Sequence, residues 1–196
     1  MTMGCKGCMV RRILYRAIFI IFSILLAFSP SLSAENARIR DILVTNNANH
    51  ILVYARVTNC FTKNIEAAIL AGVPTTFTFL LDLFQERSGW MDRKLSRTVV
   101  HCTIKYDNVK KLFLVSADGE KEATAFLDFE GAKRVMADLN GVPIAQLKTL
   151  KRNETYYVRI QAKLDKVRLP LHLEYVFFFV SLWDFETDWY QERFFY

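Results

Sequence analysis

The sequence contains few of the residues that mark several large protein classes. Its 196 residues include only 7 glycines, 4 prolines, 4 cysteines and 3 histidines. So little glycine and proline excludes a collagen-like or low-complexity chain. With 52% hydrophobic residues, the chain is also too apolar to be disordered. Four cysteines are too few for a disulfide framework, so we expect an ordinary globular domain with one hydrophobic core.

Motifs of known catalytic and nucleotide-binding sites are missing as well. The sequence has no G-x-S-x-G, P-loop, G-x-G-x-x-G or H-E-x-x-H. His50, His101 and His172 are far apart, and none pairs with another at metal-ligand spacing. We therefore expect no metal, no cofactor and no enzymatic activity. An active site assembled from several strands remains an open alternative.

The first 34 residues have the three parts of a secretory signal: a basic start, a short apolar stretch and a region of small residues. As a helix, the apolar residues 17–28 span roughly 18 Å, less than the roughly 30 Å of a bilayer core. We predict a signal peptide over residues 1–34, with an uncleaved anchor as the alternative. The expected location is the periplasm or the periplasmic side of a membrane.

The net charge of +6 suggests a nucleic-acid partner until its position is considered. Four basic residues lie in residues 1–34, and the remaining 162 residues carry 22 basic and 20 acidic ones, a net charge of +2. No run of basic residues in this part is longer than two. We therefore expect no nucleic-acid partner.

Residues 35–196 show the alternation of apolar and polar side chains that is typical of antiparallel strands. A hairpin is predicted over residues 39–57, and a second one around Asp118-Gly119. Long strands are predicted over residues 75–86, 94–106 and 155–165, each with one face in water. In the last of them, Tyr157 and Gln161 are expected to point outward.

Two short helices complete the predicted domain. Thr62 and Asp128 are placed to cap them. Each helix is expected to end at a Gly-Val-Pro segment, residues 72–74 and 141–143, because glycine accepts the left-handed conformation and proline cannot continue a helix. The prediction is one α+β domain over residues 35–196, mostly antiparallel sheet with two short helices. A sandwich arrangement of the sheet is left open.

The end of the sequence is unusually aromatic, with 11 aromatic residues among the 22 of residues 175–196. One interpretation is a core element that closes the domain. A second is an interaction surface, or a peripheral membrane contact, that includes Trp183, Phe185, Trp189 and Tyr190. A third is a strand of a small outer-membrane barrel.

Cys60 and Cys102 are the two cysteines outside the predicted signal. Export would place them in an oxidising compartment, where a disulfide between them would close a loop of 43 residues. The alternative is two separately buried thiols that act as small apolar residues.

Several segments together resemble the bacterial envelope family called domain of unknown function 4390. They are Glu-Ala-Ala-Ile-Leu-Ala-Gly-Val-Pro at residues 66–74, Arg-Ser-Gly-Trp-Met-Asp at 87–92, and Leu-Asp-Lys-Val-Arg-Leu-Pro-Leu at 164–171. The resemblance covers about residues 36–196. It implies an exported protein of unassigned role whose gene often lies beside a nitrogen-regulation-type sensor kinase, and it carries over no catalytic residue.

The resulting hypothesis is an exported envelope protein that acts as a non-enzymatic periplasmic binding or protein-interaction module. Its expected partner is an envelope protein or a sensor kinase, and its oligomeric state is not determined by the sequence. A membrane-tethered structural envelope protein and a small outer-membrane barrel are the alternatives.

Overall fold

Nine strands and two short helices form the fold of the described residues. The computed structural model describes residues 36–118, 122–165 and 185–196. In chain order the elements are β1 Arg38–Asn46, β2 His50–Thr58, α1 Lys63–Leu70, β3 Thr75–Gln85, β4 Arg93–Asp107, β5 Leu112–Ala117, β6 Thr124–Phe126, α2 Phe129–Ala137, β7 Asp138–Gln146, β8 Thr155–Leu164 and β9 Tyr190–Phe195. Asn36–Tyr196 belongs to one compact unit.

The strands form two antiparallel sheets. The smaller sheet has the order β1-β2-β7, and the larger one has the order β6-β5-β4-β3-β8-β9 and curls into a half-barrel. Every pair of neighbouring strands is antiparallel. The predicted class, a mostly antiparallel α+β domain with two short helices, is confirmed.

One hydrophobic core lies between the inner faces of the sheets and the two helices. Strand β2 shows how the pattern builds it, because its alternate residues from Ile51 to Val57 are buried and those between them are not. Phe77 and Leu81 of β3 and Met136 of α2 are fully enclosed. The alternation seen in the sequence therefore predicts the inner faces of these strands correctly.

Helix α1 begins and ends where the sequence predicts. The Thr62 hydroxyl accepts a hydrogen bond from the backbone N–H of Ile65. At the other end, the N–H of Gly72 donates to Ile69 and that of Val73 donates to Ala68, which is the Schellman arrangement. Gly72 has φ +87°, a conformation that glycine adopts without strain.

Helix α2 ends earlier than predicted. Asp128 caps it as expected, but the helix stops at Ala137, and the expected helix stop at residues 141–143 lies inside β7. Pairing with β2 decides this, because Leu139 lies opposite Ala55 in the ladder. Pro143 is tolerated there since β7 is an edge strand, where a missing N–H breaks no ladder bond on the open side. Among the described residues, neither helix has the length and apolarity needed to cross a bilayer.

Strand β3 is the central strand of the larger sheet, and the prediction that one of its faces is in water is wrong. It pairs with β4 on one side and β8 on the other. Its outer face includes Thr78, which is 3% exposed, and Asp82, which is fully buried. Alternation alone cannot reveal this, because long side chains of the neighbouring strands cover the polar residues.

Asp82 is the one fully buried charged side chain among the described residues. Its Oδ1 lies 2.7 Å from Arg97 Nε and 2.8 Å from Lys94 Nζ, and its Oδ2 lies 2.8 Å from Arg97 Nη2. Burial raises the pKa of Asp82, but the hydrogen bonds and charges of Arg97 and Lys94 outweigh burial and hold the pKa below its ordinary value. Both cations keep substantial exposure to water.

Two residues of β8 also differ from the prediction. Tyr157 and Gln161 were expected to point into water, but each is 8% exposed. The ring of Tyr157 stacks on Phe84 at 5.0 Å. The Gln161 side chain donates to the carbonyl of Thr187, which lies in the segment that runs along β8 before β9. The cover on this face comes from residues distant in sequence, so the local pattern could not indicate it.

Replacing Asp82 with asparagine is expected to destabilise the fold by about 1–3 kcal/mol at pH 7, because the buried carboxylate contributes hydrogen bonds to two cations. The pKa of the carboxylate is lower in the folded chain, so its stabilisation is present above about pH 4, the ordinary aspartate pKa, and is lost as the pH falls through the folded value. Urea unfolding at pH 7 and pH 3 measures the difference.

The control is Asp41→Asn, since the side chain of Asp41 is 72% exposed. Its effect should stay within about 0.5 kcal/mol at both pH values. An Asp82→Asn effect no larger than this, or one that grows between pH 7 and pH 3, contradicts the role given to the buried carboxylate.

Candidate functional site

A cleft of about 840 Å³ opens between β7 of the smaller sheet and, in the larger one, the middle of β4 and the end of β5. Residues of β2 and Val135 of α2 complete its wall. The smaller sheet has only three strands, and β7 is its edge. The cleft lies beside this edge, where the smaller sheet does not cover β4 and β5 completely. Its volume falls within the roughly 300–1,000 Å³ of pockets that bind small molecules or side chains.

The deep part of the cleft is apolar. Val100, Val115 and Leu139 line it, and each is at most 9% exposed. Val135 of α2 stands nearer the opening and is 47% exposed. An apolar group that enters the cleft would therefore bury apolar surface at its base and at its mouth.

The rim of the cleft is charged and mainly acidic. Arg56 and Asp138 form a bidentate ion pair, with 2.7 Å from Nε to Oδ1 and 3.0 Å from Nη2 to Oδ2. Asp41 lies farther from the same Arg56, at 3.9 Å, and Asp118 lines the cleft without an ion pair among the described residues. The charged residues that line the cleft are thus three carboxylates and one guanidinium, a net negative set.

Gly141 and Tyr54 shape one side of the opening. Gly141 has φ +67°, and a Cβ at this position would lie 3.0 Å from the Tyr54 hydroxyl oxygen. Any larger residue would need both a strained backbone and a displaced tyrosine. This close approach follows an irregularity in the β2–β7 register between Val53 and Ala55.

A second cluster joins Thr78, His101 and Asp165 on the outer face of the larger sheet. The Thr78 hydroxyl oxygen lies 2.6 Å from Asp165 Oδ1 and 2.8 Å from His101 Nδ1. The carboxylate only accepts, so Thr78 donates its proton to Asp165. His101 then donates its Nδ1–H to the Thr78 oxygen.

This cluster differs from a nucleophile–histidine–acid triad, in which the histidine accepts the proton of the nucleophile. Here the hydroxyl proton is directed to the carboxylate, and Thr78 is only 3% exposed. The cluster therefore connects three strands and positions the imidazole. Over residues 36–118, 122–165 and 185–196, no group of three or more His, Cys, Asp or Glu side chains could hold a metal ion.

Residues 34–193 match the family model described as domain of unknown function, DUF4390. The protein belongs to the DUF4390 family. The resemblance stated from the sequence is thus confirmed. Neither curated proteins nor solved structures give a significant match.

The segments that carried the resemblance have clear structural roles in this DUF4390 protein. Residues 66–74 form the second half of α1 and its Schellman end. In the β3–β4 loop, the Asp92 carboxylate accepts from the backbone N–H of Arg87 and from the Tyr157 hydroxyl. Leu164 ends β8, Asp165 belongs to the Thr78 cluster, and residues 166–171 lie outside the described residues.

The two cysteines occupy different places. Cys102 is buried in β4 and lines the cleft, and Cys60 is buried between β2 and α1 with Sγ 3.7 Å from the carbonyl oxygen of Val57. Both are thiols in the structure. Their pairing in an oxidising compartment stays a prediction. Burial raises the pKa of the Cys60 thiol to about 12, which keeps it protonated at neutral pH.

The aromatic residues singled out in the sequence are divided between core and surface. Phe185 packs edge-on against Phe77 at 5.0 Å, and Tyr190 contacts the core at the start of β9. Trp189 is 36% exposed, and the Arg159 guanidinium lies 4.6 Å from its ring centroid. Trp183 lies outside the described residues. Of the three described residues, only Trp189 is exposed. The interaction surface stays a prediction.

Sequence reasoning named none of the rim residues of the cleft. Arg56 and Asp138 are 82 positions apart and come together only because β7 pairs with β2. The sequence held one weak signal, since Arg56 sits at an outward position of a predicted strand. The register that places Asp138 opposite it depends on the early end of α2, which local helix signals did not indicate.

The Cys60 thiol is expected to react with Ellman's reagent at pH 8 at least 100-fold more slowly in the folded protein than in denaturant. A pKa of about 12 lowers the thiolate fraction, and burial limits access to the sulfur. The rate is measured on a chain with Cys5→Ser, Cys8→Ser and Cys102→Ala, so that only Cys60 reports.

A matched chain that carries Cys60→Ala and Val109→Cys is the control, since Val109 is 91% exposed and its replacement should react quickly. A native Cys60 rate within tenfold of the control contradicts the assignment. In the unsubstituted protein taken from cells, two titratable thiols at positions 60 and 102 after denaturation would exclude the predicted disulfide.

Proposed function

We propose that this DUF4390 protein is a non-enzymatic binding module of the cell envelope. In this proposal the cleft holds an apolar segment of a partner protein that carries a positive charge. The observation that carries the proposal is the cleft itself, with its buried apolar base and acidic rim. Such a combination favours a partner that has both an apolar body and a cationic end.

The division of the cleft into two zones supports a specific mode of binding. Val135 at the mouth is accessible, so an entering side chain contacts it before it reaches the buried base. A lysine or arginine at the edge of that segment would lie near Asp41 and Asp118, whose charges are less neutralised than that of Asp138. Its ammonium or guanidinium would compensate the negative rim.

The non-enzymatic part of the proposal is supported by the Thr78–His101–Asp165 cluster. It is the grouping of the described residues most similar to a catalytic constellation, and its hydrogen bonds use the hydroxyl as a structural donor. The Cys60 thiol, with its raised pKa, is also poorly suited to act as a nucleophile at neutral pH.

The partner in this proposal is an envelope protein, and the extracytoplasmic part of a sensor kinase is our candidate. Support for the location comes from residues 1–34, which have the composition of an export signal. Support for the kinase comes from the gene neighbourhood that the family resemblance implies. Cell fractionation together with N-terminal sequencing of the native protein tests the location separately from the binding.

The test of binding uses a photo-reactive amino acid at position 135, inside the mouth of the cleft. We expect a discrete crosslinked product in intact cells, from which mass spectrometry identifies the partner segment. The purified segment should then bind the unsubstituted protein at least tenfold more tightly than the Val135→Glu variant, because glutamate adds a carboxylate to an acidic rim and removes apolar contact. Raised salt should weaken the binding.

Val109 provides the matched control, since it is 91% exposed and lies in the β4–β5 turn outside the cleft lining. The photo-reactive residue at position 109 should give no such product, and Val109→Glu should leave the affinity unchanged. The proposal fails if position 109 crosslinks the same segment, or if Val135→Glu binds it as tightly as the unsubstituted protein.

A further inference from the structure

We propose that the tip of the β3–β4 loop, together with the end of β9, docks this protein onto an anionic lipid bilayer. This surface, the docking tip, consists of Trp90, Met91 and Phe195 with the basic residues around them. It is separate from the cleft, whose lining includes none of these three residues.

The apolar residues of the docking tip are among the most exposed in the described chain. Trp90 is 75%, Met91 is 81% and Phe195 is 70% exposed. Trp90 and Met91 are consecutive in the β3–β4 loop, so they form one exposed apolar point. A bilayer accepts such a point without a preformed cavity, whereas a protein partner would need a matching pocket.

Three hydrogen-bonded connections place these residues at the same end of the larger sheet. The backbone N–H of Glu86, at the start of the loop, donates to the carbonyl of Thr155 at 2.9 Å. Thr155 lies opposite Phe195 in the β8–β9 ladder. Glu154 and Tyr196 exchange backbone hydrogen bonds beside them. The loop, the start of β8 and the end of β9 therefore form one edge of the molecule.

The loop presents its apolar tip from a fixed base. The Asp92 carboxylate accepts from the N–H of Arg87 at 3.1 Å, which closes the loop on itself, and from the Tyr157 hydroxyl at 2.9 Å, which ties it to β8. Burial and the neighbouring carboxylate raise the pKa of Tyr157, so its hydroxyl stays a donor. Gly89, at φ +75° with open space around it, makes the turn before Trp90.

The charge of this edge indicates which surface the tip contacts. Residues 86–94, 151–154 and 193–196 contain six basic and three acidic side chains. Two of the acidic side chains are engaged internally, since Asp92 holds the loop and Glu86 lies 3.6 Å from Arg193. Of the basic residues, Lys94 binds Asp82 and Arg193 pairs with Glu86, whereas Arg87, Arg93, Lys151 and Arg152 have no ion pair among the described residues.

An apolar point that includes a tryptophan and has basic residues beside it fits an anionic bilayer in two ways. Tryptophan is favoured at the level of the lipid headgroups because its ring is apolar and its N–H is polar. Basic side chains near the surface are attracted by the negative headgroups within about a Debye length. The contact is interfacial, with the loop entering the headgroup region and the sheet remaining in water.

The test places an environment-sensitive fluorophore on Met91→Cys in a full chain that lacks Cys5 and Cys8. Cys60 and Cys102 are buried and should stay unlabelled. With vesicles of phosphatidylethanolamine and phosphatidylglycerol we expect a blue-shifted emission that nitroxide-labelled lipids quench. With phosphatidylcholine vesicles the shift should be at least fivefold smaller. This local signal is independent of any attachment through residues 1–34.

The same label on Val109→Cys is the matched control, because Val109 is as exposed but lies in the turn at the other end of β4. Trp90→Ser should weaken the vesicle response of the label at position 91 at least tenfold, and Arg87→Gln with Arg93→Gln should remove most of its salt dependence. The proposal is overturned if the label at position 91 does not respond to anionic vesicles. It is also overturned if position 109 responds equally.

Discussion

The rest of the structure depends on the burial of β3 on both faces. Its backbone pairs with β4 and β8 along nearly its whole length, and its inner side chains reach the shared core. The outer face then needs a cover for Asp82, since an unpaired carboxylate in this position would be very costly. Arg97 and Lys94 supply that cover from β4, so the ion pairs also select the register of the central ladder.

The two sheets differ in width, and the cleft results from this difference. The six-stranded sheet is wider than the three-stranded one, and the irregular edge strand β7 ends the smaller sheet opposite β4 and β5. Gly141 and the register shift in β2 hold that edge away from a regular ladder. The buried apolar base and the Arg56–Asp138 pair are thus consequences of how the sheets end. The cleft requires no separate element.

Local signals in the sequence were sufficient where the structure is decided within a few residues. The hairpin of β1 and β2, the caps at Thr62 and Asp128, and the inward residues of β8 all follow from turn chemistry, side-chain capping and alternation. Local signals failed where pairing with a distant strand competes with the local preference for a helix. The Gly-Val-Pro segment after α2 has the same residues as the one after α1, yet pairing with β2 makes it a strand.

The sequence by itself determined the class of the fold, the place of both helix starts, the inner face of each long strand and membership of the DUF4390 family. These properties depend on residue types at short spacings, which the printed letters display directly. Only the tertiary structure decided that Thr78, His101 and Asp165 meet, that Arg56 faces Asp138, and that Trp90 and Phe195 share one edge. Each of these encounters depends on strand order and register, and these are set by the packing of the whole chain.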